Sequence, residues 1–164
     1  MKYYPHWGSF QPILIDIMRK TSGDVLELGM GSFSTPLMHL LCLDMDRNLV
    51  SYESDRVYFD MHNHFVKPHH TIHLVKDWND ANISNRAWSV ALVDHKPMER
   101  RKEEIKKLVN NTQYVIIHDS QPKEDRFYKY SEIYPLFKYR FDYNKIFPQT
   151  TVLSNFEDLS WLRN

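Results

Sequence analysis

Two of the chain's four glycines, Gly29 and Gly31, stand one residue apart in "GDVLELGMGSFSTP", after an apolar run and before a helical one. Lacking Cβ atoms, such residues let a backbone turn sharply and approach a ligand closely. Ser34 and Thr35 follow at the start of the helical stretch, where hydroxyls and free N–H groups suit a carboxylate or phosphate. Glu53 ends the next apolar run, roughly where dinucleotide folds place the acid that accepts hydrogen bonds from ribose hydroxyls. The third glycine of a G-x-G-x-x-G pattern is missing, because Ser34 holds its place, and a pyrophosphate reading weakens accordingly. Glu27, just ahead of the bend, would repel a pyrophosphate but attract a cationic or ammonium-bearing ligand. Two dipeptides, Asp94-His95 and His118-Asp119, end later apolar runs and offer acids and imidazoles for proton transfer with a hydroxyl or amine.

One ligand satisfies this set. S-adenosylmethionine carries an ammonium and a carboxylate at its amino acid end, a positive sulfonium, and a ribose that needs an acid such as Glu53.

The elements that must position these residues alternate along the chain. Strand-like runs occur at 24–28, 48–53, 71–75, 89–94 and 114–119, short and rich in aliphatic and β-branched residues. Helical spacing fits 34–43, 55–66 and 97–111, the first with Pro36 suited to a first turn. Such alternation predicts an α/β fold: a Rossmann-like, doubly wound, mostly parallel sheet with helices on both faces. In that fold ligands sit beyond the carboxyl ends of the strands, where the strand order reverses. After Asp119 a helix is expected over 124–137. Strand candidates at 138–143 and 150–156 then follow, joined by a short turn around Pro148 that leaves no room for a crossover, so the last strand should be antiparallel.

Composition narrows the class. With 164 residues, 42% of them hydrophobic and 14% aromatic, the chain suits one domain over 1–164, with 1–20 as an N-terminal arm and helix. Lys plus Arg equals Asp plus Glu at 21 each, so no overall field draws nucleic acid or anionic lipid. The single cysteine, Cys42, excludes an internal disulfide and fits a reducing compartment. No leader and no membrane-length apolar run is seen, and a cytoplasmic protein is expected. So small and aromatic-rich a domain can cover apolar surface by pairing as a homodimer.

The sequence resembles the class I S-adenosylmethionine-dependent methyltransferases over about residues 10–156. "VLELGMGSFSTP", "LVSYESD", "HLVKDW", "WSVALVDHKPMERR" and "YVIIHDS" are similar to that family's successive motifs. The resemblance implies a seven-stranded sheet whose last strand is antiparallel, in agreement with the tail. It implies that Gly29, Met30 and Gly31 line the methionine part, that Glu27 lies near its ammonium and that Ser34 and Thr35 cap it. Glu53 would bind the ribose, Asp77 and Trp78 the adenine, and Asp94 would sit near the transferred methyl. A general base could come from His95 or His118, with Asp119 beside it. The reading is methyl transfer from S-adenosylmethionine to an oxygen or nitrogen atom of a small molecule.

Two alternatives share these residues. "VDHKP" and "HDS" are similar to the metal-dependent catechol O-methyltransferases, in which Asp94 and Asp119 would hold Mg²⁺ and Lys96 would be the base. Ser120, however, stands where that family has Asn, and Lys96 is one position closer to its acid, so no metal is expected. The other alternative is a binding module without catalysis.

Other clusters read as structural. His62, His64, His69, His70 and His73 lack an accompanying cysteine and fit a helix end plus a solvated loop rather than a zinc site. Arg100, Arg101 and Lys102 fit a solvated helix face, with Arg100 or Arg101 able to reach an acidic substrate. The segment "YYPHWGSFQP" is either a lid, with Ser9 touching the methionine carboxylate, or an arm packed on the domain.

Overall fold

Val25, Leu26, Glu27 and Leu28 are all buried, as a strand covered on both faces requires. In the computed structural model, which describes residues 5–163, they form β1 (Val25–Leu28) near the middle of a seven-stranded sheet. The other strands are β2 (Leu49–Glu53), β3 (His70–Leu74), β4 (Trp88–Val93), β5 (Thr112–Ile117), β6 (Tyr139–Tyr143) and β7 (Thr150–Ser154). Their order is β3-β2-β1-β4-β5-β7-β6. The first five are mutually parallel, and β7 runs antiparallel to both β5 and β6, as the short tail connection predicts.

Alternation within each strand feeds two cores. Leu26, Leu28, Ala91, Val93, Val115 and Ile117 share one core with Ile105 and Leu108 of α4 (Arg101–Leu108). Val25, Val90, Leu92 and Ile116 share the other with Ile13, Leu14 and Ile17 of α1 (Gln11–Lys20) and Met38 and Cys42 of α2 (Thr35–Asp44). Each fully buried aliphatic side chain contributes about 1.5–3 kcal/mol to such a core. Cys42 is among them, and burial pushes its thiol up to about 12.

Three predicted helices are shorter than their periodicity suggests. The 55–66 stretch divides into α3 (Arg56–His62), capped by the Asp55 side chain on Val57 N–H, and a 3-10 turn at Asn63–Phe65. The 97–111 stretch opens with a 3-10 turn at Met98–Arg100 before α4. The 124–137 stretch is not one helix. It holds α5 (Asp125–Tyr128), ended by Lys129 in the left-handed region at φ 53°, then 3-10 turns at Tyr130–Glu132 and Tyr134–Leu136. A left-handed residue terminates an α-helix, and Pro135 has no N–H with which to resume one. Among the described residues no helix is long and apolar enough to cross a membrane.

Candidate functional site

Strand order reverses between β1 and β4, and the loops leaving these two strands meet at the carboxyl edge of the sheet. Asp94 N–H donates to Leu28 O at 2.8 Å, and Gly29 N–H donates to Tyr52 O at 2.9 Å, so the ends of β1, β2 and β4 are tied together. Gly29 has φ 93°, and a Cβ added there would lie 2.6 Å from both the N and Cα of His95. Glycine is required at this position by handedness and by space.

A cavity of about 300 Å³ opens at this edge. Of the residues singled out from sequence, Met30, Gly31, Ser34, Glu53, Asp94, His95, His118 and Asp119 line it. Glu27, Gly29, Thr35, Asp77 and Trp78 do not.

Glu27 points the other way because of strand parity. It shares the face of Val25, beneath α2, and is fully buried. Thr35 Oγ1 donates to Glu27 Oε1 at 2.9 Å and accepts the Gly31 N–H at 3.0 Å. The Ser51 hydroxyl donates to Oε2. Burial raises the Glu27 carboxyl to about 7, against the lowering effect of the Ser34, Ser51 and Thr35 hydroxyls. The chain of contacts continues outward: His70 Nε2 lies 2.8 Å from Ser51 Oγ, and His39 Nδ1 lies 3.1 Å from His70 Nδ1. Burial, then His39 and His69, pull His70 down to about 3, so it is neutral.

The histidine-rich stretch is in part the helix end and solvated loop its sequence suggests, with His62 ending α3 and His64 and residues 66–68 exposed, but it turns inward at His70, the first residue of β3. His62 and His70 are buried, and the His39 ring packs at a tilt against those of His69 and His70. Among the described residues these histidines form no metal-sized group.

Glu53 faces the cavity with its carboxylate fixed from behind. Met30 N–H donates to Oε2 at 2.7 Å, and the Ser54 and Asp55 N–H groups donate to Oε1 at 2.7 Å each. Burial outweighs these bonds and sets its pKa above the ordinary carboxylate value. Two oxygens carrying three donors keep lone pairs for hydroxyls in the cavity.

Past β4, the His95 ring stacks on Trp78 at 3.9 Å between centroids, and Trp78 Nε1 donates to Lys96 O at 2.7 Å. Trp78 thus packs on a ring that is itself fully buried. Asp77 caps the turn at Trp78–Asp80 by accepting the Asn79 N–H. Burial and the nearby Arg101 pull His95 down to about 3, and it is a neutral ring.

The far end of the cavity gathers Asp94, His118 and Asp119, whose ligand atoms lie within 4.8 Å of one another. At their centre is a residue that the sequence assigned to a solvated face. Arg101 has only 4% of its side chain exposed; its Nη2 lies 2.8 Å from Asp94 Oδ1 and its Nη1 3.6 Å from Asp119 Oδ2. The signal was present: Arg101, Glu104, Ile105 and Leu108 all lie buried at helical spacing on one face of α4. His118 Nδ1 sits 3.4 Å from Asp94 Oδ2. Burial pushes Asp94 up and His118 down, but their attraction, helped by Arg101 on Asp94 and Asp119 on His118, prevails and reverses both directions.

The N-terminal segment forms one wall. Trp7 and Phe10 line the cavity, and Phe10 meets the His118 ring edge-on at 5.2 Å. Ser9 is buried, donating to Pro148 O at 2.7 Å and lying 2.9 Å from His118 Nε2. Tyr3 and Tyr4, expected in the same arm, lie outside the described residues.

No protein-family model and no curated protein sequence matches the chain. Solved structures do. An O-methyltransferase from Bacillus cereus in complex with S-adenosylhomocysteine superimposes with TM-score 0.66 at 11% identity, covering 93% of this chain and 82% of its own. The O-methyltransferase TomG from Streptomyces achromogenes, involved in tomaymycin synthesis and solved with S-adenosylmethionine, gives 0.62 at 13% identity, covering 95% and 82%. The human methyltransferase 10 domain containing protein gives 0.62 at 8% identity, covering 96% and 84%. With the strand order and the reversed β7, these likenesses show that the chain has the fold of the class I S-adenosylmethionine-dependent methyltransferases.

Proposed function

We propose that the protein transfers a methyl group from S-adenosylmethionine to an oxygen or nitrogen atom of a small acceptor. The observation that carries this reading is a single cavity joining Glu53 and the glycine turn to Asp94, His118 and Asp119. The ligands in the Bacillus cereus and Streptomyces structures support it. Bound there, S-adenosylmethionine would supply an electrophilic methyl on a sulfonium.

The chain's own residues divide the work. Glu53, braced by three N–H groups, accepts from the ribose hydroxyls. Met30, Gly31 and Ser34 hold the amino acid end, while Glu27 and Thr35 act from beneath by fixing the turn. The buried His95–Trp78 stack props the loop after β4 beside the adenine end, with Asp77 shaping the turn behind it. Asp94 and Asp119 orient the acceptor, and His118 takes its proton once the imidazolium has given up its own. Methyl transfer needs mainly alignment of nucleophile and sulfonium, which a cavity walled by Trp7 and Phe10 favours by excluding water.

Calorimetric titration tests the assignment. S-adenosylmethionine and S-adenosylhomocysteine are expected to bind, and Glu53→Gln to weaken both by about tenfold or more, the worth of a hydrogen bond to a charged group. Binding of NAD in their place would overturn the reading.

A further inference from the structure

We propose that the Arg101 guanidinium stands permanently where a divalent cation would otherwise sit among Asp94, His118 and Asp119, making the acceptor end of the site metal-independent. The inference takes from the proposed function only that this cluster faces the acceptor. Similarity to the catechol-type enzymes implies Mg²⁺ at Asp94 and Asp119, and the arrangement of side chains here does not fit that ion.

The acids already have their positive partner. Asp94 Oδ1 is 2.8 Å from Arg101 Nη2, and Asp94 Oδ2 is 3.4 Å from His118 Nδ1. Asp119 Oδ2 lies 3.6 Å from Arg101 Nη1 and 3.7 Å from His118 Nδ1, and accepts from Tyr128 OH at 3.0 Å. Nor is Arg101 free to swing away. Its Nε donates to His95 O at 2.6 Å, its Nη1 reaches His118 O and Tyr130 OH at 3.4 Å each, and its head group lies 4.8 Å from the centre of the Tyr128 ring. An ion lodged between the two carboxylates would meet a fixed charge of its own sign a few ångströms away.

The would-be third ligand is also taken up elsewhere. Ser120, in the place of the metal-binding Asn, donates to Gln149 O at 3.1 Å and accepts from Thr151 Oγ1 at 2.8 Å. Lys96 is exposed. Magnesium demands near-octahedral oxygen ligands at about 2.0–2.1 Å, and this cluster offers a histidine, two neutralised acids and an arginine. A consequence for the acceptor follows. Two adjacent oxygens are needed where a metal chelates the substrate; here one nucleophilic hydroxyl or amine, bonded to Asp94 or His118, suffices.

Mn²⁺ titration followed by electron paramagnetic resonance tests this without reference to methyl transfer. The wild-type protein is expected to leave the free-ion signal undiminished up to about 1 mM Mn²⁺, whereas Arg101→Met, of similar length but uncharged, is expected to bind one equivalent at least about 100-fold more tightly. Adding Asp119→Asn to Arg101→Met should abolish the gained site. Arg101→Lys, which keeps the charge, should gain none. Circular dichroism checks that each variant folds; should Arg101→Met not fold, the wild-type titration decides alone. One tight equivalent in the wild type, removed by Asp119→Asn, overturns the proposal, as does a folded Arg101→Met that gains no ion. S-adenosylmethionine binding measured in parallel reports separately on the proposed function.

Discussion

The Thr35 hydroxyl links the glycine turn to the buried Glu27: it accepts the Gly31 N–H at 3.0 Å and donates to Glu27 Oε1 at 2.9 Å. A carboxylate that from sequence alone belongs near a ligand's ammonium instead braces the turn from the core side. The turn's shape then depends on a hydroxyl that never reaches the cavity.

Thr35→Val keeps the side-chain shape and removes both bonds. It should destabilise the fold by about 1–3 kcal/mol, because a buried carboxyl oxygen and an N–H lose their partner. Urea denaturation reads the loss. Calorimetry should show weaker S-adenosylmethionine binding by the folded variant, since Gly31 N–H is no longer held.

Glu27 gives stability a pH dependence of known sign. A carboxyl whose pKa is 4.5 unfolded and about 7 folded stabilises fully below 4.5, where both states are protonated. That contribution fades as pH rises through about 7, a loss of about 3 kcal/mol in all. The difference in unfolding free energy between wild type and Glu27→Gln should therefore shift in favour of the variant between pH 4.5 and 8. A difference flat across this window would refute a raised carboxyl.

Gly29→Ala places a methyl 2.6 Å from the His95 backbone at φ 93°. Strain and overpacking together should cost about 2–5 kcal/mol. Gly31→Ala, whose Cβ would meet only Ser34 Oγ at 3.4 Å, should stay within about 1 kcal/mol of wild type. Thermal denaturation of the pair separates a position fixed by packing from one facing the cavity.

His118 should titrate above 6.5 in the free protein, followed by NMR of its imidazole. Its pairing with Asp94 and Asp119 stabilises the fold at pH values below 6.5 and is lost as pH rises through the folded-state pKa. Asp94→Asn should lower that pKa, because the stronger of its two carboxylate attractions is gone while burial and Arg101 remain. Activity, in turn, should rise with pH as His118 loses its proton.

The strand ends were the readable part of the site. Glu53, Asp94, His118 and Asp119 close apolar runs, and a parallel sheet brings all such ends to one edge. Glu27 was misplaced although the information existed: Val25 and Glu27 have the same parity, and Val25 belongs to the core shared with α2. Arg101 was hidden by its neighbours, since Arg-Arg-Lys at a helix start resembles a solvated face until Glu104, Ile105 and Leu108 show which side is buried. Trp78 could be recognised as important but not as the backing of His95, a relation set by two loops that meet only in the fold. The broken segment after Asp119 turned on Lys129 adopting a left-handed conformation, which nothing in a lysine announces.

Gly29 also governs how this molecule can vary. Its bare Cα lies against the His95 backbone, so the glycine turn and the loop after β4 meet at a seam with no room for a side chain. The rim of the cavity, at Trp7, Tyr58 or Met98, can change without disturbing that seam. Any atom added at Gly29 pushes both loops apart at once and, on the proposed function, would lengthen the path of the transferred methyl group.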